Sequence, residues 1–157
     1  MATCISHSSA ETEALGETWG RSAQSGLVIG LSGDLGSGKT QLVRGIARGL
    51  GVTERVHSPT FALVNVYTGG RLTLFHLDLY RLETRAQFVA AGLEEYLNSP
   101  GIAAIEWAER WFGTLAVGTL STASLTSLNS ASGNFRWVQI ETLSETERRI
   151  TYEDFGA

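Results

Sequence analysis

The sequence predicts an α/β fold of three layers, with a mixed, mainly parallel sheet and an antiparallel C-terminal hairpin. Three observations carry that prediction. Leu27-Val28-Ile29-Gly30-Leu31 is an apolar run of strand length, as expected of a strand buried on both faces. It leads into Gly33-Asp34-Leu35-Gly36-Ser37-Gly38-Lys39-Thr40, which fits G-x-x-x-x-G-K-[ST] at every required position. Leu42, Val43, Ile46, Ala47 and Leu50 then recur at helical spacing, and Gly51 supplies a stop. Strand, glycine-rich loop and helix in this order make the P-loop NTPase-like beginning of such a fold.

The remaining elements follow in chain order. Ala2 to His7 is a short strand, and Ser8-Ser9-Ala10-Glu11 has the S-x-x-E form of a capping box. Ala14, Leu15, Thr18, Trp19 and Ser22 share one helical face, so the first helix runs to about Ala23. His57-Ser58-Pro59-Thr60 is a stiff polar connector, because proline confines the residue before it to extended geometry. Two β-rich runs, Phe61 to Tyr67 and Leu72 to Asp78, flank Thr68-Gly69-Gly70-Arg71, a hairpin signal. Glu83 to Leu97 reads as helical with an interruption at Gly92, and Ile102 to Ile105 is a short buried strand. Residues 113–134, rich in Gly, Ser, Thr and Ala, are expected to supply the first strand of the C-terminal hairpin. Asn129 to Asn134 would be its turn and Phe135 to Leu143 its partner strand. After about Ser144 the expectation is a loosely held tail.

Composition bounds the function. The 157 residues are 43% hydrophobic and 18% charged, which suits a single P-loop ATPase domain over 1–157 with an ordinary core. A net charge of −4 without a basic block argues against free-standing nucleic-acid binding. No stretch reaches membrane-spanning length and Cys4 is the lone cysteine, so a cytoplasmic location and no membrane contact are the expectation.

Lysine usage singles out one residue. Lys39 is the only lysine beside eleven arginines, so the chain keeps this residue type for the loop. A compact ammonium fits between β- and γ-phosphates where a planar guanidinium does not. Glycines let consecutive backbone N–H groups turn inward as an anion nest, and the helix N-terminus adds its partial positive charge. Gly33, Asp34, Leu35, Gly36, Ser37, Gly38, Lys39, Thr40 and Gln41 are thus the nucleotide-binding candidates, with Thr40 offering its hydroxyl to Mg²⁺.

Such a loop needs an acidic partner. Of three aspartates, only Asp78 ends an apolar β run; Glu106 stands equally well, directly after Ile102 to Ile105. Both are candidates for holding the metal or orienting water. Ser58 and Thr60 are candidate switch hydroxyls that sense the γ-phosphate, or else part of a simple turn. His76 shares side-chain parity with Asp78 and either orients it or is a packed histidine.

The loop octapeptide, Ser58-Pro59-Thr60-Phe61, His76-Leu77-Asp78-Leu79-Tyr80-Arg81-Leu82, Gly92-Leu93-Glu94-Glu95-Tyr96-Leu97 and Ile105-Glu106-Trp107-Ala108-Glu109-Arg110 occur in that order. The series resembles the TsaE (YjeE) family of small bacterial ATPases in tRNA threonylcarbamoyladenosine biosynthesis, over about residues 8 to 112. The resemblance implies an ATPase that binds ATP and Mg²⁺ and releases ADP and phosphate slowly when alone. It implies the partners TsaD and TsaB, which transfer the threonylcarbamoyl group to tRNA; tRNA is reached only through that complex. It implies Lys39 and Thr40 as phosphate and Mg²⁺ ligands, Glu106 as a second Mg²⁺ residue, Asp78 as a catalytically important acid and Trp107 as important for activity. A residue near the start of the first helix and an arginine of the C-terminal hairpin also serve that family at the nucleotide, with Glu11 and Arg136 the nearest by position. Beyond Phe112 the family's charged, proline-containing lead into the hairpin is missing.

The alternative is a P-loop small-molecule kinase, which would add an arginine-rich lid; Arg81, Arg85 and Arg110 are scattered. A GTPase would need an N-K-x-D element, and no second lysine exists to build it.

Overall fold

Strands β1 (Ala2–Ser6), β2 (Val28–Ser32), β3 (Val64–Tyr67), β4 (Leu74–Asp78), β5 (Ile102–Glu106), β6 (Phe135–Thr142) and β7 (Arg148–Phe155) form a seven-stranded sheet in the order β1-β7-β6-β2-β5-β4-β3. This is seen in a computed structural model that describes residues 1–59, 62–112 and 134–155. The central strands β6, β2, β5 and β4 run parallel, while β3, β7 and β1 are antiparallel to their neighbours. The mixed, mainly parallel sheet is the one the sequence predicts.

Side-chain alternation divides the core between the two faces. Ile29, Leu31, Leu74, Ile102, Ala104, Val138 and Ile140 pack with α1 (Ser9–Ser22) and α2 (Lys39–Leu50). Val28, Leu77, Ala103, Ile105 and Trp137 face the other way, toward Phe88 of α3 (Arg85–Ala90), Leu97 of α4 (Glu94–Leu97) and Trp111 of α5 (Glu109–Phe112). β2 and β5 are buried throughout their first four residues, which is why neither alternates in sequence.

α1 and α2 meet backbone to backbone. A Cβ at Gly16 would lie 2.3 Å from the Leu42 carbonyl, and one at Gly45 would lie 2.0 Å from that of Glu13. Gly20 and Gly49, one turn on, repeat the contact. The two helices therefore approach more closely than any side-chain layer allows, and α1 brings its N-terminus beside the start of α2.

The C-terminal region departs from expectation. The antiparallel hairpin exists, but it joins β6 to β7, with Leu143 to Glu147 as its turn. The expected first strand and turn, over residues 113–134, lie outside the described residues except for Asn134. The expected loose tail is instead β7, paired with β6 on one side and β1 on the other, with Ile150 fully buried. Pairing on both edges, with Ile150 in the core and Tyr152 packed against it, fixes it there. Helix 83–97 is split into α3 and α4 around Gly92, whose φ is 71°. Among the described residues no helix is long and apolar enough to cross a membrane.

Candidate functional site

The loop between β2 and α2 stands at the carboxyl edge of the parallel strands, where α/β sheets place their ligand crevices. Gly38 is the N-cap of α2 with φ 108°, a left-handed conformation that admits a side chain only with strain. The chain so turned leaves the first amides of α2 (Lys39, Thr40 and Gln41) without acceptors inside the helix, facing a cavity of about 610 Å³. Leu35, Gly36, Ser37 and Gly38 complete that wall. Gly33 and Asp34 contribute from behind: their carbonyls accept hydrogen bonds from Lys39 Nζ at 2.5 and 2.9 Å.

Lys39 is 4% exposed. Burial holds its pKa below 10.5, while the charges of Glu106, Glu109, Asp78 and Asp34 work the other way. Its ammonium also lies 4.0 Å from the ring centroid of Trp107, a cation–π contact. Trp107 reaches that position through a backbone φ of 59°. This turns the chain out of β5 at once, and Ala108 N–H then donates to the Leu31 carbonyl at 3.0 Å. Left-handed backbone at a bulky residue stores strain of about 1–3 kcal/mol, and such strain clusters at functional sites. Tyr80 packs on the same indole at 5.0 Å.

The two acids are neighbours across parallel strands, because Asp78 pairs with Glu106 in the register of β4 and β5. Both are nearly buried, at 5% and 3% exposure. Thr40 Oγ1 lies 2.9 and 3.0 Å from the two carboxylate oxygens of Glu106. Asp78 accepts from Ser58 Oγ at 2.5 Å and from Tyr80 N–H at 3.0 Å. Ser58 thus joins the cavity wall with Asp78, Glu106 and Trp107. Thr60, the other switch candidate, lies outside the described residues. His76 faces Glu106 rather than Asp78, with Nε2 2.5 Å from Oε2. Its orientation is set by the diagonal across the two strands.

Two sequence candidates fall elsewhere. Glu11 is exposed; its backbone N–H donates to the Ser8 cap, and its carboxylate accepts from His7 N–H at 2.5 Å. Ser8, Ser9 and Thr12 line the cavity in its place. Arg136 pairs with Ile29 in register, toward the start of the parallel strands and away from the loop. It donates to both oxygens of Asp154, at 2.5 and 2.8 Å, and lies 4.7 Å from the Trp19 ring. The arginine that the hairpin brings to the cavity is Arg148, which donates to the carbonyls of Ser37 at 3.0 Å and Gly36 at 3.3 Å. An expected tail after Ser144 gives this arginine no place in the sequence analysis, although the alternation of Arg148, Ile150 and Tyr152 carries a strand signal.

Chemically, the cavity combines an amide-lined anion cradle, two cations and two carboxylates, each bonded to its own hydroxyl. The chain is also similar to known proteins. A family model described as "Threonylcarbamoyl adenosine biosynthesis protein TsaE" matches residues 6–134. The chain is 44% identical to a tRNA threonylcarbamoyladenosine biosynthesis protein TsaE of Treponema pallidum, over 83% of this chain and 94% of that one. It is 52% identical to one of Nostoc sp. over 61% of each, so it spans about three fifths of that relative's length. The crystal structure of Bacillus subtilis YdiB superposes with a TM-score of 0.73 at 28% identity, covering 99% of this chain and 86% of the other.

Proposed function

This chain belongs to the TsaE family, and on that premise we propose that it is a Mg²⁺-dependent ATPase supporting N6-threonylcarbamoyladenosine modification of tRNA together with TsaB and TsaD. The observation that carries the reading is the convergence of Lys39, Thr40, Asp78 and Glu106 on one cavity beside an amide-lined loop. The loop amides and Lys39 hold the triphosphate. Binding then asks Lys39 to exchange two carbonyls for phosphate oxygens, which restores a full counter-charge to a buried cation.

The donor set fits Mg²⁺, a hard ion that takes oxygen ligands and needs only one or two from the protein beside phosphates and water. Thr40 gives its hydroxyl proton to Glu106, so its oxygen lone pairs remain for the ion. When bound, the ion neutralises charge on the β- and γ-phosphate oxygens. Asp78 or Glu106 orients the attacking water, and the bond from Ser58 to Asp78 lets the 57–60 connector respond to that step. Phosphate release drives turnover of the partner enzyme and modifies nothing on this chain.

The test is phosphate release from ATP by the protein alone and with TsaB, TsaD and tRNA. Stimulated hydrolysis by the wild-type protein, lost in Lys39→Ala, is expected. Normal hydrolysis by Lys39→Ala under the same conditions would overturn the assignment. Release without any added acceptor also argues against the kinase alternative.

A further inference from the structure

His76 has no part in the reaction outlined above, yet it is wholly buried, and its ring lies against the acid that reaction needs. By strand alternation it shares the α2-facing side of β4 with Asp78, but Asp78 is already held by Ser58 and the Tyr80 amide. The imidazole instead meets Glu106 at Oε2, while Thr40 meets both carboxylate oxygens. Among the described residues, Nδ1 of His76 is buried without a hydrogen-bond partner. An ionised carboxylate only accepts, so in this contact Nε2 is the donor.

A glutamate has one more rotatable bond than an aspartate, and its terminal torsion is broad. Thr40 alone, on a flexible hydroxyl, does not fix the carboxylate plane. We propose that His76 is the positioning residue for Glu106: its Nε2–H holds Oε2, and the carboxylate is thereby aimed at Thr40 and the ion-binding side of the cavity. This rests on the reading of Thr40 and Glu106 as the Mg²⁺-holding pair. Groups that orient metal-associated carboxylates in this way typically change metal affinity by about 10- to 100-fold when removed.

The experiment is fluorescent ATP-analogue binding, titrated with Mg²⁺ and repeated in EDTA, on the full chain and its His76→Leu, His76→Gln and His76→Asn variants. Leucine fills the space without a donor; the glutamine amide reaches the Nε2 position, and the asparagine amide only that of Nδ1. His76→Leu is expected to need roughly 10-fold more Mg²⁺ for half-maximal enhancement, with EDTA binding within about 2-fold of wild type. His76→Gln should recover most of the loss and His76→Asn little of it. Wild-type Mg²⁺ dependence in His76→Leu, or equal impairment of the glutamine and asparagine variants, overturns the inference. If His76→Leu shows no cooperative thermal transition, the glutamine–asparagine comparison decides alone. Absence of Mg²⁺-enhanced binding in the wild-type protein would overturn the ATPase reading itself, a different result from a normal wild type with indifferent variants.

Discussion

Arg148 holds the glycine-rich loop from outside, with one guanidinium donating to the carbonyls of Ser37 and Gly36. Those bonds tie β7 to the turn of the loop, so the side chain acts on the loop before any ligand arrives. Under the proposed function, Arg148→Ala should weaken ATP binding by about 10-fold, the equivalent of one lost charge-assisted hydrogen bond. Titration calorimetry would check this, and unchanged affinity would remove Arg148 from the site. Arg136 makes a contrasting case, since its bidentate pair with Asp154 is structural and distant from the loop. The hydrogen bond from Arg136 holds the Asp154 carboxyl below 3.8, against the opposing effect of partial burial. A depressed carboxyl stabilises the fold above its unfolded pKa, and that contribution disappears as pH falls through the folded value. Arg136→Ala should therefore lower stability by at most about 1 kcal/mol near neutrality, because the pair is half-exposed. The difference from wild type should vanish well below pH 3.8 in chemical denaturation. Arg136→Ala should leave ATP binding intact.

At the scale of elements, the α1–α2 contact is the most demanding. The glycines at 16 and 20 on α1 and at 45 and 49 on α2 recur at helical i,i+4 spacing, so they form one stripe on each helix. Gly45→Ala would press a methyl carbon to 2.0 Å from the Glu13 carbonyl, forcing the helices apart. The expected cost is about 3 kcal/mol from overpacking, partly offset by about 1 kcal/mol of helix propensity. Urea denaturation would read it, and a stabilised Gly45→Ala would show that the helices separate freely. The same stripe explains why Ser8, Ser9 and Thr12 reach the cavity while Glu11 does not. The close approach carries the start of α1 to the loop, but the Glu11 carboxylate turns back to accept from His7 N–H instead of closing a capping box on Ser8. Sequence periodicity reveals the apolar face of each helix; the distance between two helices depends on what both bring to the contact.

For the whole molecule, β7 is the connection on which the sheet's edge depends. It joins β1 to β6, buries Ile150 and carries Arg148 to the loop. A chain ending at Ser144 would expose β6 along its full length and leave β1 unpaired. That loss is on the order of the 5–15 kcal/mol that holds a typical domain together. Such a chain should show no cooperative thermal transition by circular dichroism, whereas a loosely held tail would be removable without effect.

The sequence by itself determined the beginning of the fold and the centre of the candidate site. Gly33 to Thr40 follows a buried strand and precedes an amphipathic helix; Asp78 and Glu106 end apolar runs; all of these are local patterns, readable because a parallel core imposes them within a few residues. The tertiary structure alone decided which residues complete that site. Glu11 and Arg136 stand near the right elements but point elsewhere, and Arg148 enters from a strand whose alternation is too short to outweigh its terminal position. His76 lies in the strand that the sequence predicts, yet its partner depends on the register between β4 and β5, which neither strand encodes alone. Local composition specifies an element, whereas a contact between elements depends on pairing register and helix spacing, which form only when the chain folds together.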